Sequence, residues 1–83
     1  MTKIHCIKSD DYEALYINGK LYNEGNPLNE GNERVLHFIK IAEVYGVNVK
    51  DIKFGYINLI EHTDYGEFPN DLSDIIKFVK WEN

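Results

Sequence analysis

Residues 13–24 read EALYINGKLYNE, two five-residue segments on either side of Asn18 and Gly19. A two-residue type I′ turn needs positive φ at both central positions, and Asn followed by Gly tolerates this conformation best. The stretch therefore predicts a β-hairpin. Its register pairs the flanking residues two by two: Tyr16 with Leu21, Leu15 with Tyr22, and Ile17 with Lys20.

A further strand is predicted just before the hairpin. Residues 3–8, KIHCIK, place Ile4 and Cys6 on one side, and this alternation with a period of two is typical of a strand. The Ser-Asp-Asp sequence of residues 9–11 favours a turn, because short oxygen-bearing side chains bond to the backbone of a bend. We therefore expect a three-stranded meander.

A helix is predicted after a polar loop around Pro27. Asn29 or Asn32 is the predicted N-cap, because either side chain can accept hydrogen bonds from the first backbone amides. Apolar residues then recur at helical spacing: Val35, Phe38, Ile39, Ala42 and Tyr45, with Leu36 and Ile41 widening the apolar face. Gly46 is the expected end of the helix, because glycine adopts the left-handed conformation without a Cβ penalty. So broad an apolar face predicts a helix packed against a sheet.

The last third of the chain is predicted to form a strand, a loop and a short helix. Residues 52–60 carry apolar side chains on both faces, which favours an interior strand. Residues 61–68 form a charged and aromatic loop, and Asn70 or Asp71 caps a short helix. The apolar stripe of that helix consists of Leu72, Ile75, Ile76 and Val79. Residues 75–81 are also compatible with a strand, because periodicity does not decide over so few positions.

Together these elements predict a single α+β domain spanning residues 1–83. We expect a small antiparallel or mixed sheet, made of the N-terminal three-stranded meander and one later strand. One long and one short helix are expected on one face of this sheet, in the order βββαβα.

The composition favours an intracellular protein and disfavours several kinds of partner. The net charge is -5, so the surface repels phosphate groups, and direct nucleic-acid binding is not expected. Cys6 is the only cysteine, so the fold has no internal disulfide, which favours the cytoplasm. We expect no signal peptide and no membrane partner, because no segment approaches the roughly 20 apolar residues of a membrane span.

The sequence shows no pattern typical of a metal, cofactor or catalytic site. The possible metal ligands are His5, Cys6, His37 and His62. They lack the paired spacing of zinc ligands, and the adjacent His5 and Cys6 would point to opposite faces of a strand. Cys6 is interpreted as a small core residue. We predict that the chain is not an enzyme and needs no cofactor.

The tyrosines and one acidic segment are the best candidates for a functional surface. The chain contains six tyrosines, and residues 61–74 hold five acidic side chains without a Lys or Arg. In a sheet covered on one side, tyrosines of the other side are free to bind a partner. The predicted partner-binding residues are Tyr16, Tyr22, Tyr56, Glu61, Asp64, Tyr65 and Glu67.

These features predict a small module that binds another protein, as a monomer or a homodimer. Ile, Asn, Lys, Tyr, Phe and Met, whose codons are AT-rich, total 38 residues, so the hypothesis is a regulator or inhibitor encoded by a phage or mobile element of a low-GC bacterium. A homo-oligomeric structural protein joined through the hairpin edge also fits the sequence. So do an acidic mimic of nucleic acid and a small enzyme that uses residues 61–67 for acid–base chemistry.

Overall fold

The computed structural model describes residues 1–10, 12–25 and 31–82, and for residues 31–34 it describes the backbone alone. The loop around Pro27 and the proposed cap Asn29 lie outside the described residues, as does Asp11 of the predicted turn. The strands are β1 (Ile4–Ser9), β2 (Tyr12–Ile17), β3 (Lys20–Gly25), β4 (Lys53–Tyr56) and β5 (Lys80–Trp81). The helices are α1 (Gly31–Tyr45) and α2 (Leu59–His62), and 3₁₀ turns span Val49–Asp51, Leu72–Asp74 and Ile76–Phe78.

Within the described residues the sheet is mixed and has five strands in the order β3-β2-β1-β4-β5. β1 pairs with β4 in parallel, and the other neighbours are antiparallel. The α+β class, the mixed sheet and the order of three strands, helix, strand and helix are confirmed. The sequence allowed either a helix or a strand for residues 75–81. The structure has the 3₁₀ turn Ile76–Phe78 followed by the short strand β5.

The hairpin forms as its turn residues predict. Asn18 and Gly19 have φ angles of 52° and 81°, the positive values that a type I′ turn requires. The pairs Tyr16–Leu21 and Ile17–Lys20 are confirmed. The third predicted pair is wrong, because the register shifts between Leu15 and Tyr16 and Leu15 faces Asn23. Tyr22 is the extra residue of this β-bulge, and periodicity alone does not reveal such an insertion.

The sheet is covered on both faces, whereas the sequence analysis expected both helices on one. α1 packs on one face, where the buried cluster consists of Ile4, Cys6, Leu15, Ile17, Phe38, Ile41, Ala42 and Ile52. The chain after β4 packs on the other face, where the cluster consists of Ile7, Ala14, Tyr16, Ile57, Leu59, Phe68, Leu72, Ile75 and Val79. Leu59 of α2 belongs to this second cluster, so the two helices lie on opposite faces. The physical reason is β2, in which residues 14–17 are all apolar and alternate between the faces, so each face must be covered.

α1 ends in the predicted way and buries a narrower stripe than predicted. Gly46 has a φ of 67° and its amide donates to the Glu43 carbonyl, while the Val47 amide donates to the Ala42 carbonyl. These two hydrogen bonds define a Schellman motif. Phe38, Ile41 and Ala42 are buried, whereas Val35, Leu36 and Ile39 are exposed. Asn32 lies inside the helix, so it is not the N-cap.

The chain after α1 departs most from the expected elements. The predicted strand 52–60 contains only the four residues of β4, and α2 occupies part of its remainder and of the predicted loop. Two 3₁₀ turns replace the predicted last helix, and Leu72, Ile75 and Val79 are nevertheless buried. Asp71 precedes the first turn but makes no capping hydrogen bond, because its carboxylate pairs with the Lys20 ammonium.

No helix in the described part of the chain is long and apolar enough to cross a membrane.

Candidate functional site

Tyr16 is a core residue and is not part of an accessible surface. Its exposure is 0%, which corrects the prediction that it contacts a partner. β2 is an inner strand and the C-terminal segment covers this face, so the ring is enclosed beside Phe68. The phenol hydroxyl donates a hydrogen bond of 2.6 Å to the Pro69 carbonyl, and burial, followed by the charges of nearby carboxylates, raises the pKa of this phenol. Tyr16 therefore holds the C-terminal segment against the sheet.

Tyr22 and Tyr56 are accessible but lie far apart. Tyr22, on the edge strand β3, is 54% exposed and packs edge to face on Tyr45, with ring centroids 6.2 Å apart. Tyr56 ends β4 and is 39% exposed. Three strand spacings separate β3 from β4 in the sheet, which is about 14 Å. The structure therefore does not bring these two tyrosines into one cluster.

α2 holds Ile60 and the loop after it in an outward position. Leu59 is buried, and its amide donates to the Ser9 hydroxyl at 3.2 Å. The Thr63 hydroxyl and amide both donate to the Leu59 carbonyl, at 2.7 and 2.8 Å, and this closes the helix after one turn. Because Leu59 points into the core, the next side chain, Ile60, points out and is 78% exposed.

The loop after α2 contains Tyr65 and a turn at Gly66 that lies close to Ile60. Gly66 has a φ of 67°, and a Cβ there would lie 3.5 Å from Ile60 Cγ1, so the Ile60 side chain lies against this turn. Tyr65 precedes that turn and is 88% exposed. Of the predicted partner-binding residues, Glu61, Asp64 and Glu67 are exposed on the same segment. We call Ile60, Glu61, Asp64, Tyr65 and Glu67 the 60–67 surface.

The charge around the 60–67 surface is negative. No Lys or Arg occurs between residues 54 and 76, so no cation from this part of the chain neutralises its carboxylates. The negative region extends toward β2 and β3, where the Tyr12 hydroxyl donates to Glu24 Oε1 at 2.8 Å. This hydrogen bond is the main cause that raises the pKa of Tyr12, and burial and the charges of Glu24 and Glu67 add to it. Carboxylates from separate elements therefore share one side of the molecule.

The acid–base chemistry considered for residues 61–67 has little structural support. His62 stacks on Phe78 with ring centroids 4.1 Å apart and an interplanar angle of 11°. Its Nε2 lies 4.0 Å from Glu61 Oε2, and the Glu61 side chain is 68% exposed. The stacked histidine is interpreted as packing for the second face of the sheet.

The possible metal ligands are not brought together. Among the described residues, no group of three His, Cys, Asp or Glu side chains is arranged to hold a metal ion. Cys6 is 3% exposed within the α1-side cluster, which confirms its interpretation as a core residue. His5 points away from it, as the alternation of β1 predicts.

A groove that the sequence analysis missed lies at the amino ends of β1 and β4. Its volume is about 440 Å³, and the residues that line it include Lys3, His5, Asn48, Asp51 and Lys53. Parallel pairing places His5 directly opposite Lys53. These residues are almost 50 positions apart in the sequence, and only the strand order brings them together. The alternating pattern of β1 and the lysine at the start of β4 do not by themselves indicate a shared site.

A comparison of the chain with protein-family models, with curated proteins and with solved structures found no match. The fold defines the chain as a small α+β domain with a mixed sheet covered on both faces.

Proposed function

We propose that the chain is a small cytoplasmic module that binds another protein through the 60–67 surface. The observation that carries the proposal is the exposure of two large apolar side chains, Ile60 at 78% and Tyr65 at 88%, among three exposed carboxylates. The partner surface is basic with an apolar centre. In keeping with the residue bias of the sequence, we propose a host protein of a low-GC bacterium as the partner, regulated or inhibited by this chain.

Apolar contact supplies most of the expected affinity. Full burial of one large apolar side chain contributes about 1.5–3 kcal/mol. Tyrosine is enriched in interface hot spots, because its ring gives a large contact area at a low entropy cost. Ile60 and Tyr65 are held by α2 and the Gly66 turn, so little ordering of the backbone is needed on binding.

The carboxylates determine which partner is selected and how fast it associates. Glu61, Asp64 and Glu67 are exposed on the same segment as the two apolar side chains, so a basic partner is attracted and an acidic one is repelled. This attraction is screened by salt, because exposed charges interact over a Debye length of about 8 Å at physiological ionic strength. Binding should therefore weaken as salt is raised.

The edge strand β3 offers less support for self-association than the sequence analysis assumed. Residues 70–72 already cover its start, where the Leu21 amide donates to the Asn70 carbonyl and the Leu72 amide donates to the Gly19 carbonyl, each at 2.8 Å. The backbone near the hairpin turn is thus partly paired, and less of it is open for strand addition. We therefore propose that the chain is a monomer and that it binds a different protein.

Tyr65→Ala tests the proposal against the matched variant Tyr22→Ala. Both remove an exposed tyrosine, but only the first lies on the 60–67 surface. The chain is used as bait in a lysate of a low-GC bacterium, and the captured protein is purified and titrated by calorimetry. We expect Tyr65→Ala to weaken binding by about 2 kcal/mol, as a hot-spot truncation does, and Tyr22→Ala to leave it unchanged. Equal affinities for the two variants would contradict the proposal.

A charge-matched pair of variants tests the electrostatic part. One variant combines Glu61→Gln, Asp64→Asn and Glu67→Gln, and the other combines Asp10→Asn, Glu43→Gln and Glu82→Gln. Both reduce the negative charge by three, so a difference between them reports position and not net charge. We expect only the first to slow association and to reduce its salt dependence. Salt-insensitive binding by the unmodified chain would rule out this part.

A further inference from the structure

The groove at the amino ends of β1 and β4 is set apart from the 60–67 surface. β1 runs from the groove toward Ser9, which contacts α2, over about 16 Å of strand. The volume of about 440 Å³ falls in the lower part of the range of small-molecule sites. The turn after α1, the 3₁₀ turn Val49–Asp51 and two paired strands form its walls, so the backbone around it is held by regular structure.

The groove is basic in an otherwise acidic molecule. Lys3 and Lys53 line it, and Asp51 is the acidic residue among the lining positions. Within the part of the chain that the structure describes, no ion pair joins either ammonium to a carboxylate. The net charge of the chain is -5, so this local excess of positive charge is not a consequence of the composition.

His5 adds a hydrogen-bonding group between the two lysines. Among the described residues, its Nδ1 atom is buried without a hydrogen-bond partner. An N–H group buried without an acceptor is costly, so the favoured tautomer carries its hydrogen on Nε2. Burial is the main cause that lowers the pKa of His5, and the charges of Lys3 and Lys53 add to it. The imidazole is therefore neutral at pH 7 and acts as a donor.

We propose that this groove binds a small phosphate-bearing anion. Lys3 and Lys53 provide the charge, and the His5 imidazole and the Asn48 amide provide hydrogen bonds. A phosphate monoester carries a charge of about −1.5 to −2 near neutral pH, which matches two lysines better than the single charge of a carboxylate anion does. Lysine suits phosphate as a point charge, without the forked geometry of arginine. A polynucleotide is disfavoured, because the acidic remainder of the surface repels a long phosphate chain.

Titration with inorganic phosphate, followed by two-dimensional ¹H–¹⁵N NMR, tests the site. Acetate at matched ionic strength provides the comparison anion. We expect saturable shifts of the Lys3, His5, Asn48 and Lys53 amides with phosphate, and only weak, non-saturating shifts with acetate. An equal response to the two anions would overturn the assignment to phosphate, and linear shifts with both would overturn the site itself.

Two double variants locate the binding. Lys3→Gln with Lys53→Gln removes the charge of the groove, whereas Lys8→Gln with Lys40→Gln removes the same charge elsewhere. We expect the first to weaken phosphate binding about tenfold or more, and the second to change it little. Lys53→Arg keeps the charge and should retain binding, which separates loss of the ligand site from loss of the fold. Equal weakening by both double variants would overturn the proposal.

Discussion

Tyr16 shows how one side chain joins two parts of the chain that are distant in sequence. Its ring belongs to the second cluster, and its hydroxyl bonds to Pro69, 53 residues later. Buried phenol groups usually find such a partner, because an unpaired hydroxyl in the core is costly. The same residue type at position 65 is almost fully exposed. Residue identity alone therefore did not distinguish the core tyrosine from the surface one.

Tyr16→Phe tests the role of this hydroxyl. The variant keeps the ring but leaves the Pro69 carbonyl without its donor, so the free energy of unfolding should fall by about 1–2 kcal/mol. Urea denaturation followed by circular dichroism measures the change. Tyr65→Phe serves as the control and should leave stability unchanged, because that hydroxyl is exposed. A similar stability for both variants would show that the Tyr16 hydrogen bond contributes nothing.

At the scale of elements, β5 depends on the absence of a side chain in β4. A Cβ at Gly55 would lie 2.5 Å from Val79 Cγ1 and 2.9 Å from Trp81 Cε3. Gly55 pairs with Trp81, and the Glu82 amide donates to the Phe54 carbonyl at 2.9 Å. Glycine in a strand often marks such a close approach of another segment. The sequence pattern predicts a strand at Gly55 but does not indicate which segment lies next to it.

Gly55→Ala should loosen β5 from β4. The added methyl group forces Val79 and the Trp81 ring to move, and overpacking of this kind costs about 1–3 kcal/mol. We expect faster hydrogen exchange at the Glu82 amide and a red shift of the Trp81 fluorescence. Lys80→Ala, on an exposed side chain of β5, is the control and should change neither. Unchanged exchange in Gly55→Ala would contradict the close contact.

At the scale of the whole molecule, the sheet has a buried cluster on each face, and the chain has only 83 residues. A domain of this size buries a modest fraction of its surface, so neither cluster is dispensable. In one layer the ring of Phe38 packs edge to face on that of Phe54, with ring centroids 5.4 Å apart. Near the other layer the ring of Tyr12 stacks on that of Phe68, with ring centroids 6.1 Å apart. Both layers should therefore unfold in one cooperative transition.

Substitution of two adjacent isoleucines tests the packing of the second cluster, on the face of the sheet that the chain after β4 covers. Ile75 is 1% exposed and Ile76 is 43% exposed. Ile75→Ala should lower the free energy of unfolding by about 2–5 kcal/mol, because it leaves a cavity in the core. Ile76→Ala should cost clearly less in the same urea titration, because that side chain is already partly in water. If the C-terminal segment were loosely attached, Ile75→Ala would cost no more than Ile76→Ala.

The local elements could be read from the sequence because their causes are local. Asn18 and Gly19 accept the backbone angles of the turn, and Gly46 accepts those of the helix end. The alternation of β1 placed Cys6 in the core. The α+β class followed from these elements, and the charged residues of the segment 61–68 indicated an exposed loop.

The coverage of the second face and the basic groove depend on contacts between distant segments. In the segment 57–79 the helical spacing of Leu72, Ile75 and Val79 indicated buried residues, but it indicated neither the 3₁₀ turns that carry them nor the face of the sheet that they cover. Tyr16 is buried because that layer exists, and Lys3 and Lys53 line the same groove because β1 and β4 pair in parallel. Backbone preferences act within a few residues of the chain, whereas burial and charge proximity are properties of the folded arrangement.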